Sequence, residues 1–438
     1  MNRPLLANVL SSLVDKGFTI AATFAATLLM VRLLPRADYG IVGIVAGYGV
    51  LIQVINISLE NAILRDHRDY AAHPERFLLN YFVFNLLKAL AILALGLALA
   101  ALLPVVYGSP HFGWAVGSLV ILTLSDAFVA PLVIYASTQY QQRLVTGVNI
   151  VRFSLNLVLV GGLLIWPSLA YLFFKELAML LVTIAAWAFV SRRYLRLNFA
   201  TVSLRVSLRQ HVDLRFIHSA LTRQSIWFHL IGIANAFIYR ADALFLSLFA
   251  PLTVVGNYSI ALASANVANV VPAILGYQNT VAISSSTDER RAFQLTDMFL
   301  RASLYVGLAT LLGFVLLGHF YLQIMTGEQN VSAIYQYMIC IVVGLVVAKT
   351  LVSPLISYVN AKGDVRGMFL RVNLPALLFS ACSYFLSARF GGATGVAAAN
   401  VVNALFWVTL MIVEMKRYGY RPQLSFRTPA HDAVAPGR

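Results

Sequence analysis

The sequence predicts an all-α integral membrane protein with about twelve transmembrane helices, arranged as two six-helix parallel repeats that form two lobes around a central cavity. Composition is the first observation behind this fold class. The 438-residue chain is 60% hydrophobic and 11% charged, with a mean hydropathy of +0.79, whereas soluble domains are about 45–50% apolar and about 25% charged. The second observation is that short patterns in one half recur in the other, which indicates an internal repeat.

Twelve segments meet the requirement of about 20 mostly apolar residues per membrane span. They lie near residues 7–34, 39–63, 77–103, 112–139, 145–166, 169–190, 216–248, 254–283, 298–320, 332–360, 367–387 and 393–415. The first apolar run continues to Leu34, which is long enough to span, so we expect it to stay rather than to be removed as a signal peptide.

Loop charges predict the orientation, because Lys and Arg accumulate on the cytoplasmic side of membrane proteins. Most loop arginines fall before the first span and after even-numbered spans, whereas the opposite loops hold little beyond Arg36 and Arg389. Both termini are therefore predicted to be cytoplasmic. The net charge of +15 then reflects topology and attraction to anionic membrane lipids, and it does not indicate nucleic-acid binding.

Two pattern pairs support the repeat. "PLVIYASTQYQQR" at 131–143 and "PLISYVNAKGDVR" at 354–366 share Pro, Leu, Tyr and Arg, and they end the fourth span of each half. "PRADYG" at 35–40 and "PLTVVG" at 251–256 both place Pro and Gly five residues apart, in the outer turn between the first and second spans. An even number of spans per copy keeps the copies parallel, and such repeats usually hold the substrate site at their interface.

The predicted organisation is an N-terminal lobe at 1–190, an arginine-rich cytoplasmic linker at 191–215, a C-terminal lobe at 216–415 and a cytoplasmic tail at 416–438. Apolar residues alternate with polar ones in the linker, which favours a strand or an irregular surface segment over a helix. We interpret the linker as a tether on anionic headgroups, with a partner-docking site as the alternative.

Enzymatic chemistry is not indicated. Cys340 and Cys382 fall inside predicted spans and are expected to be apolar core thiols. The sequence has neither a phosphate-binding glycine loop nor a nucleophile elbow, and its histidines show no metal-ligand spacing. We therefore expect no catalytic residues, no metal and no cofactor.

Ionisable residues inside the spans are the candidate functional residues, since each costs about 2.5–3.5 kcal/mol at a helix centre and should face a cavity or a partner. The cations are Lys16, Lys88, Arg152, Lys175, Arg223, Arg240 and Lys349, and the acids are Asp15, Glu60, Asp126, Glu176 and Asp242. Sequence neighbours on a helix do not face each other, so the adjacent pairs Asp15/Lys16 and Lys175/Glu176 are not expected to cancel. The excess of cations favours an anionic substrate. Ion pairs between helices, and snorkelling of Arg152 and Arg223, are the alternatives for single residues.

Polar stripes predict which helices line the cavity. Lys16, Thr19, Thr23 and Thr27 recur at helical spacing on the first span, and Gly49, Gln53, Asn56 and Glu60 do so on the second, with Asn266 and Asn269 as counterparts on the eighth. The first, second, seventh and eighth helices are therefore the predicted cavity walls. Helix packing is the alternative explanation, because Thr and Asn side chains also form hydrogen bonds between neighbouring helices. In addition, Gly43 and Gly47 form a GxxxG pattern, which is typical of closely packed membrane helices.

Asp126 and Lys349 each lie five residues before the repeated proline, so opposite charges occupy equivalent positions. We expect either that they approach each other in one state of a transport cycle or that each is satisfied within its own lobe.

The run "MVRLLPRADYGIVGIVAGYGVLIQVINISLENAILR" resembles the opening of bacterial polysaccharide flippases of the Wzx type, within the superfamily that also contains lipid II flippases and multidrug and toxin extruders. "RADALFLSLFAPLTVVGNYSIALA" and "ARFGGATGVAAANVV" continue the resemblance in the second half. Leu34 departs from the pattern, since the family commonly has Gly before this Pro. The count of twelve spans lacks the extra pair typical of the lipid II branch, which disfavours that branch.

The resemblance implies two six-helix lobes in a V that rock between inward-open and outward-open states in the bacterial inner membrane. It implies transport of an undecaprenyl-diphosphate-linked oligosaccharide to the periplasmic leaflet, for O-antigen or exopolysaccharide and capsule synthesis. Membrane lipids, a polysaccharide polymerase and a chain-length regulator are the other expected partners.

Combined with the charge pattern, the resemblance gives one expected set of site residues. The expected substrate-binding residues are Lys16, Lys88, Arg152, Arg223, Arg240 and Lys349, and the expected ion-coupling or ion-pair residues are Glu60, Asp126 and Asp242. An ion-coupled multidrug antiporter, which those acids would serve, a lipid II flippase and a non-transporting scaffold are the alternatives.

Overall fold

The computed structural model describes residues 3–57, 74–138, 141–195, 226–269 and 288–420, with isolated positions between 272 and 286, and it describes the first helix's side chains from Gly17 onward. The described part of the first half contains six α-helices: α1 (Arg3–Leu33), α2 (Arg36–Ile55), α3 (Pro74–Tyr107), α4 (His111–Thr138), α5 (Gln142–Val160) and α6 (Leu169–Arg193). The second half contains α7 (Ile226–Arg240), α8 (Asp242–Ser247), α9 (Leu252–Ala265), α10 (Glu289–Thr326), α11 (Ser332–Val347), α12 (Ser353–Lys362), α13 (Val365–Met368) and α14 (Leu374–Arg417).

The predicted fold class is confirmed: the chain is a multi-pass, all-helical membrane protein. Eight helical stretches among the described residues are long and apolar enough to cross a membrane. Helices α11 and α12 together form the predicted tenth span. α14 covers most of the predicted eleventh span and all of the twelfth, and between them its backbone leaves the helix at Gly392, whose φ of 55° suits glycine.

The seventh span was predicted as one continuous helix over 216–248, and the structure corrects this. The helix is interrupted at Ala241, between α7 and α8. The Tyr384 hydroxyl donates a hydrogen bond to the Ile238 carbonyl oxygen at 2.8 Å, which is the carbonyl that residue 242 would bond in an uninterrupted helix. A tertiary contact therefore competes with the helical hydrogen bond at this position.

The repeated proline has different surroundings in the two halves. Pro131 lies inside α4, whereas Pro354 follows a π-helical segment, Ala348–Val352. A proline lacks an N–H group and crowds the carbonyl four residues earlier, and a widened turn is one way to accommodate this, although the helix around Pro131 stays α-helical. A second π-helical segment, Phe369–Asn373, precedes Pro375.

Three hydrophobic cores organise the described residues. The outer core contains residues from both halves, including Val31, Leu34, Tyr39 and Phe112 from the first half and Val255, Tyr258, Leu322 and Ala393 from the second. The first inner core contains residues of the first half alone, including Leu78, Tyr81, Val129, Ile134 and Val190. The second inner core contains residues of the second half alone, including Val352, Tyr358, Met411, Met415 and Tyr420.

The outer core lies at the helix ends that the loop charges assign to the outside, and the two inner cores lie at the opposite ends. The halves are thus packed together at the predicted outer side and hold separate cores at the predicted inner side. They also touch further inward, where Nε2 of His229 lies 3.0 Å from the Val54 carbonyl oxygen.

Candidate transport pathway between the halves

Only part of the polar stripe of α1 lies among the residues whose side chains the structure describes. Thr19 and Thr27 are half-buried and Thr23 is exposed. The Thr27 hydroxyl donates to the Thr23 carbonyl at 2.9 Å, so this hydroxyl is used within its own helix. The side chain of Lys16, which begins the stripe, lies outside the described part.

Amide side chains of the stripes lie near the ends of α2 and α9, and all but the exposed Asn266 are half-buried. Gln53 and Asn56 are both half-buried. In the counterpart region, which forms a 3-10 turn after α9, the Asn269 amide donates to the Asn266 side-chain oxygen at 3.0 Å. Glu60, the last member of the α2 stripe, lies outside the described residues.

Arg152, predicted to bind substrate, forms an ion pair within the first half. Its guanidinium lies 3.0 Å from a carboxylate oxygen of Asp126, which is 62% exposed. Asp126 and Lys349, the repeat-equivalent charges, do not pair with each other in this conformation, because Asp126 pairs with Arg152 and Lys349 contacts an aromatic ring of the second half. Arg152 and Asp126 therefore neutralise each other in this conformation.

The expectation that Lys175 and Glu176 do not pair was wrong. The Lys175 ammonium lies 2.5 Å from the Glu176 carboxylate, and it also donates to the side-chain oxygen of Asn156 on α5 at 2.8 Å. The long lysine side chain reaches along the helix surface, and the bond to α5 holds it there. This buried pair removes one cation and one acid from the functional candidates.

Lys88 on α3 has no carboxylate partner among the described residues. It is 8% exposed. Its ammonium lies 3.4 Å from the Ile57 carbonyl oxygen, just beyond the end of α2, and 5.9 Å from the centre of the Phe84 ring. One turn away, both amide atoms of Asn85 are buried without a hydrogen-bond partner in the described part of the chain. The Lys88 charge is thus weakly compensated.

Lys349 and Arg240 are the corresponding cations of the second half. Lys349 lies in the π-helical segment before α12, with its ammonium 4.5 Å from the centre of the Tyr239 ring. Arg240 ends α7 and its side chain is exposed. Neither forms an ion pair within the ranges that the structure describes. Arg223 lies outside those ranges.

Asp242 is fully buried in the second half, and its carboxylate is held by hydrogen-bond donors. One oxygen accepts the Ala243 N–H at 2.8 Å. The other accepts the Tyr258 hydroxyl at 2.6 Å and the Asn400 amide at 3.4 Å. The Tyr384 hydroxyl reaches the Asn400 side-chain oxygen at 3.0 Å, so this network joins α8, α9 and both parts of α14.

Sequence reasoning missed Tyr258, Asn400 and Tyr384. The available signal was a tyrosine or an asparagine inside an otherwise apolar span, which needs a partner when buried. The residues predicted from the sequence were only the charged residues inside the spans and the members of the polar stripes.

Two arginines near the α1–α2 turn connect the halves at the predicted outer side. The Arg36 guanidinium lies 2.6 Å from a carboxylate oxygen of Glu328, with side chains 22% and 51% exposed. Arg32 donates to the Ile324 carbonyl near the end of α10, from Nε at 2.9 Å and from a second nitrogen. From the sequence, Arg36 is predicted only as one of the few charges of the outer loops. We call these contacts of Arg32 and Arg36 the outer latch.

No family model matches the chain, and no curated protein matches it. Solved structures do match in fold. An inward-facing multidrug resistance MATE family transporter of the MOP superfamily is 14% identical, covers 94% of this chain and 95% of its own, and gives a TM-score of 0.58. Lipid II flippase MurJ in an inward closed conformation is 10% identical, with 94% and 87% covered and a TM-score of 0.61.

A mutant of the Vibrio cholerae MATE transporter VcmN is 13% identical, with 95% and 97% covered and a TM-score of 0.52. These three matches extend over nearly the whole chain at low sequence identity. The chain therefore has the fold shared by these MOP superfamily transporters.

Proposed function

We propose that the chain is a flippase. It moves an undecaprenyl-diphosphate-linked oligosaccharide from the cytoplasmic to the periplasmic leaflet of the bacterial inner membrane, for O-antigen or exopolysaccharide and capsule synthesis. The cycle is alternating access between the two halves, with cations lining the pathway. No covalent bond is made or broken.

The arrangement of the hydrophobic cores carries this proposal. One core joins the halves at the predicted outer side, and two separate cores lie at the predicted inner side. This arrangement fits a V whose gap would face the cytoplasmic leaflet, where lipid-linked oligosaccharides are assembled. Rocking of the halves would then carry the bound headgroup to the other face.

The unpaired cations support an anionic substrate. Lys88, Arg240 and Lys349 have no carboxylate partner in the described part of the chain, whereas Arg152 and Lys175 do. A diphosphate concentrates negative charge, which ammonium and guanidinium groups neutralise through strong charge-assisted hydrogen bonds. The polyprenyl tail stays in the bilayer, so only the polar headgroup needs a path.

An ion-coupled multidrug antiporter is the second candidate, and Asp242 favours it. This buried acid has no cation partner among the described residues, and an acid of this kind inside a membrane marks an ion pathway by default. Its oxygens already accept hydrogen bonds from Ala243, Tyr258 and Asn400, which is also what a structural role requires. A lipid II flippase, with the same diphosphate chemistry, is the third candidate.

Deletion of the gene in its host separates these functions. A glycan flippase leaves undecaprenyl-diphosphate oligosaccharide trapped in the membrane, measured by lipid extraction and mass spectrometry, and surface glycan disappears until the gene is restored. Loss of drug resistance with no trapped glycolipid would identify the antiporter. Accumulation of the peptidoglycan precursor alone would identify the lipid II flippase.

A further inference from the structure

Helices α2 and α9, the second helices of the two repeats, cross at the predicted outer side with equivalent glycines facing each other. Gly40 and Gly256 are 216 residues apart, the same offset as the prolines that precede them. A Cβ atom on Gly40 would lie 2.9 Å from the Gly256 nitrogen and would overlap the Leu252 carbonyl oxygen. A Cβ atom on Gly256 would overlap the Arg36 carbonyl oxygen.

The overlapped residues are equivalent as well, since Arg36 and Leu252 each follow the repeated proline. Gly40 thus faces the start of α9 as Gly256 faces the start of α2. Two backbones approach this closely only where both lack side chains, as in small-residue helix interfaces within membranes. The repeated Pro-to-Gly spacing was predicted to lie in a turn. In the structure, the glycine of each copy forms a contact between the halves.

One turn further along, the same relation recurs with one difference. Gly43 faces Ser259, and these two residues are also 216 positions apart. A Cβ atom on Gly43 would lie 2.7 Å from the Ser259 Cβ atom and would overlap its hydroxyl. Ser259 is buried, and its hydroxyl has no partner among the described residues. The site has room for one side chain and not for two.

Equivalent residues that face each other lie on the pseudo-two-fold axis relating the copies. In parallel repeats this axis runs along the membrane normal, so the crossing lies over the centre of the pathway. It also lies within the outer core, since Ile41, Val255 and Ile260 beside these residues belong to that core.

We propose that Gly40, Gly43, Gly256 and Ser259, together called the outer crossing, are the outer gate of the transport pathway. Their contact closes the path to the outside and separates when it opens. This inference rests on the proposed function in one respect only, that the halves exchange inward-open and outward-open states. The outer latch lies beside the crossing and closes with it.

The test uses the pseudo-symmetry. Gly43→Ser places a second side chain opposite Ser259 and should hold the outer ends apart. Ser259→Gly only removes a side chain and should leave them closed. The double variant Gly43→Ser with Ser259→Gly places the single side chain on the other helix, so it should close like the parent protein.

Spin labels on Ser109→Cys and Gln329→Cys report the outer distance between the halves by electron–electron resonance, in a background with Cys340→Ala and Cys382→Ala. Overpacking by one small group should raise the ratio of separated to closed molecules by roughly fivefold to more than a hundredfold. Gly313→Ser is the matched control, because a Cβ there meets nothing within 4 Å. Gly43→Ala carries the same expectation if Gly43→Ser does not accumulate.

Recovery of the closed distance in the double variant supports the gate. Unchanged distances in both Gly43 variants overturn it, as does a double variant that stays separated. These distances need no substrate, so a protein that behaves as expected here and yet traps no lipid-linked oligosaccharide on deletion would refute the proposed function and leave the gate standing.

Discussion

Neutralising Lys88, Arg240 and Lys349 together to Gln should abolish glycan export while the protein still folds and inserts. The structure gives these cations few contacts to lose. Lys88 has one carbonyl at 3.4 Å, Lys349 has a ring contact worth about 0.5–2 kcal/mol, and Arg240 is exposed. The variant should therefore be found in the membrane at near-normal amounts.

Each charge-assisted contact to the diphosphate is worth about 1.5–3 kcal/mol, and about 1.4 kcal/mol is a factor of ten in affinity. Single Gln variants should thus bind roughly ten- to more than a hundredfold more weakly. Undecaprenyl diphosphate is the probe, with affinity measured in detergent by quenching of tryptophan fluorescence and export measured as surface glycan. Because the shared headgroup is what these residues touch, the sugar composition of residual glycan should not change.

Arg389→Gln is the control for lost positive charge, since Arg389 is exposed in the predicted outer turn of α14, 5.6 Å from the Phe390 ring centre. It should bind and export like the parent. A triple variant that keeps both its affinity for undecaprenyl diphosphate and its export would show that these cations do not hold an anionic headgroup, and the reasoning for this substrate would be wrong.

One further prediction rests on the loop charges, and two rest on single contacts. Reporters fused at either end should be cytoplasmic and one near Glu328 periplasmic; a periplasmic C-terminus would undo the two-copy topology. Tyr258→Phe should lower the free energy of unfolding by about 1.5–3 kcal/mol, because it removes a donor to a buried carboxylate, and an unchanged thermal midpoint would contradict that. Arg152→Gln should reduce export less than Lys88→Gln, because Arg152 is already paired with Asp126; equal losses of export would place Arg152 in the pathway.

Composition and span length were enough to predict the membrane class and the helical fold, since both depend on local hydrophobicity. The interruption at Ala241 was beyond that reasoning, because it depends on a hydroxyl from Tyr384 far along the chain. The two π-helical segments precede Pro354 and Pro375, but Pro104 and Pro131 lie inside α-helices, so a proline in the sequence does not by itself predict such a segment.

The sequence identifies the charged residues inside the spans as a set, but it does not separate those that are paired from those that are not. Which cations are compensated depends on neighbours in space, such as Asp126 for Arg152 across 26 residues, and helical spacing carries no such information. Lys175 and Glu176 show the reverse case, in which helical spacing predicts no pair but the structure contains one. The Lys175 ammonium also bonds to Asn156 on α5. The spacing rule applies to side chains that project straight out from the helix. Lys175 does not project in this way, because Asn156 on the neighbouring helix holds it to one side.

The energetics of the outer side suit a gate that opens and closes. The ion pair between Arg36 and Glu328 is partly exposed, and such pairs contribute about 0–1 kcal/mol. The outer crossing has almost no side chains, so closing it orders few rotamers and separating it leaves few buried polar groups unpaired. Neither of these two contacts alone holds the halves firmly, and the apolar side chains of the outer core add to the contact between them. A gate with large interlocking side chains at the same place would be harder to reverse, which gives a physical reason for glycine at equivalent positions of both copies.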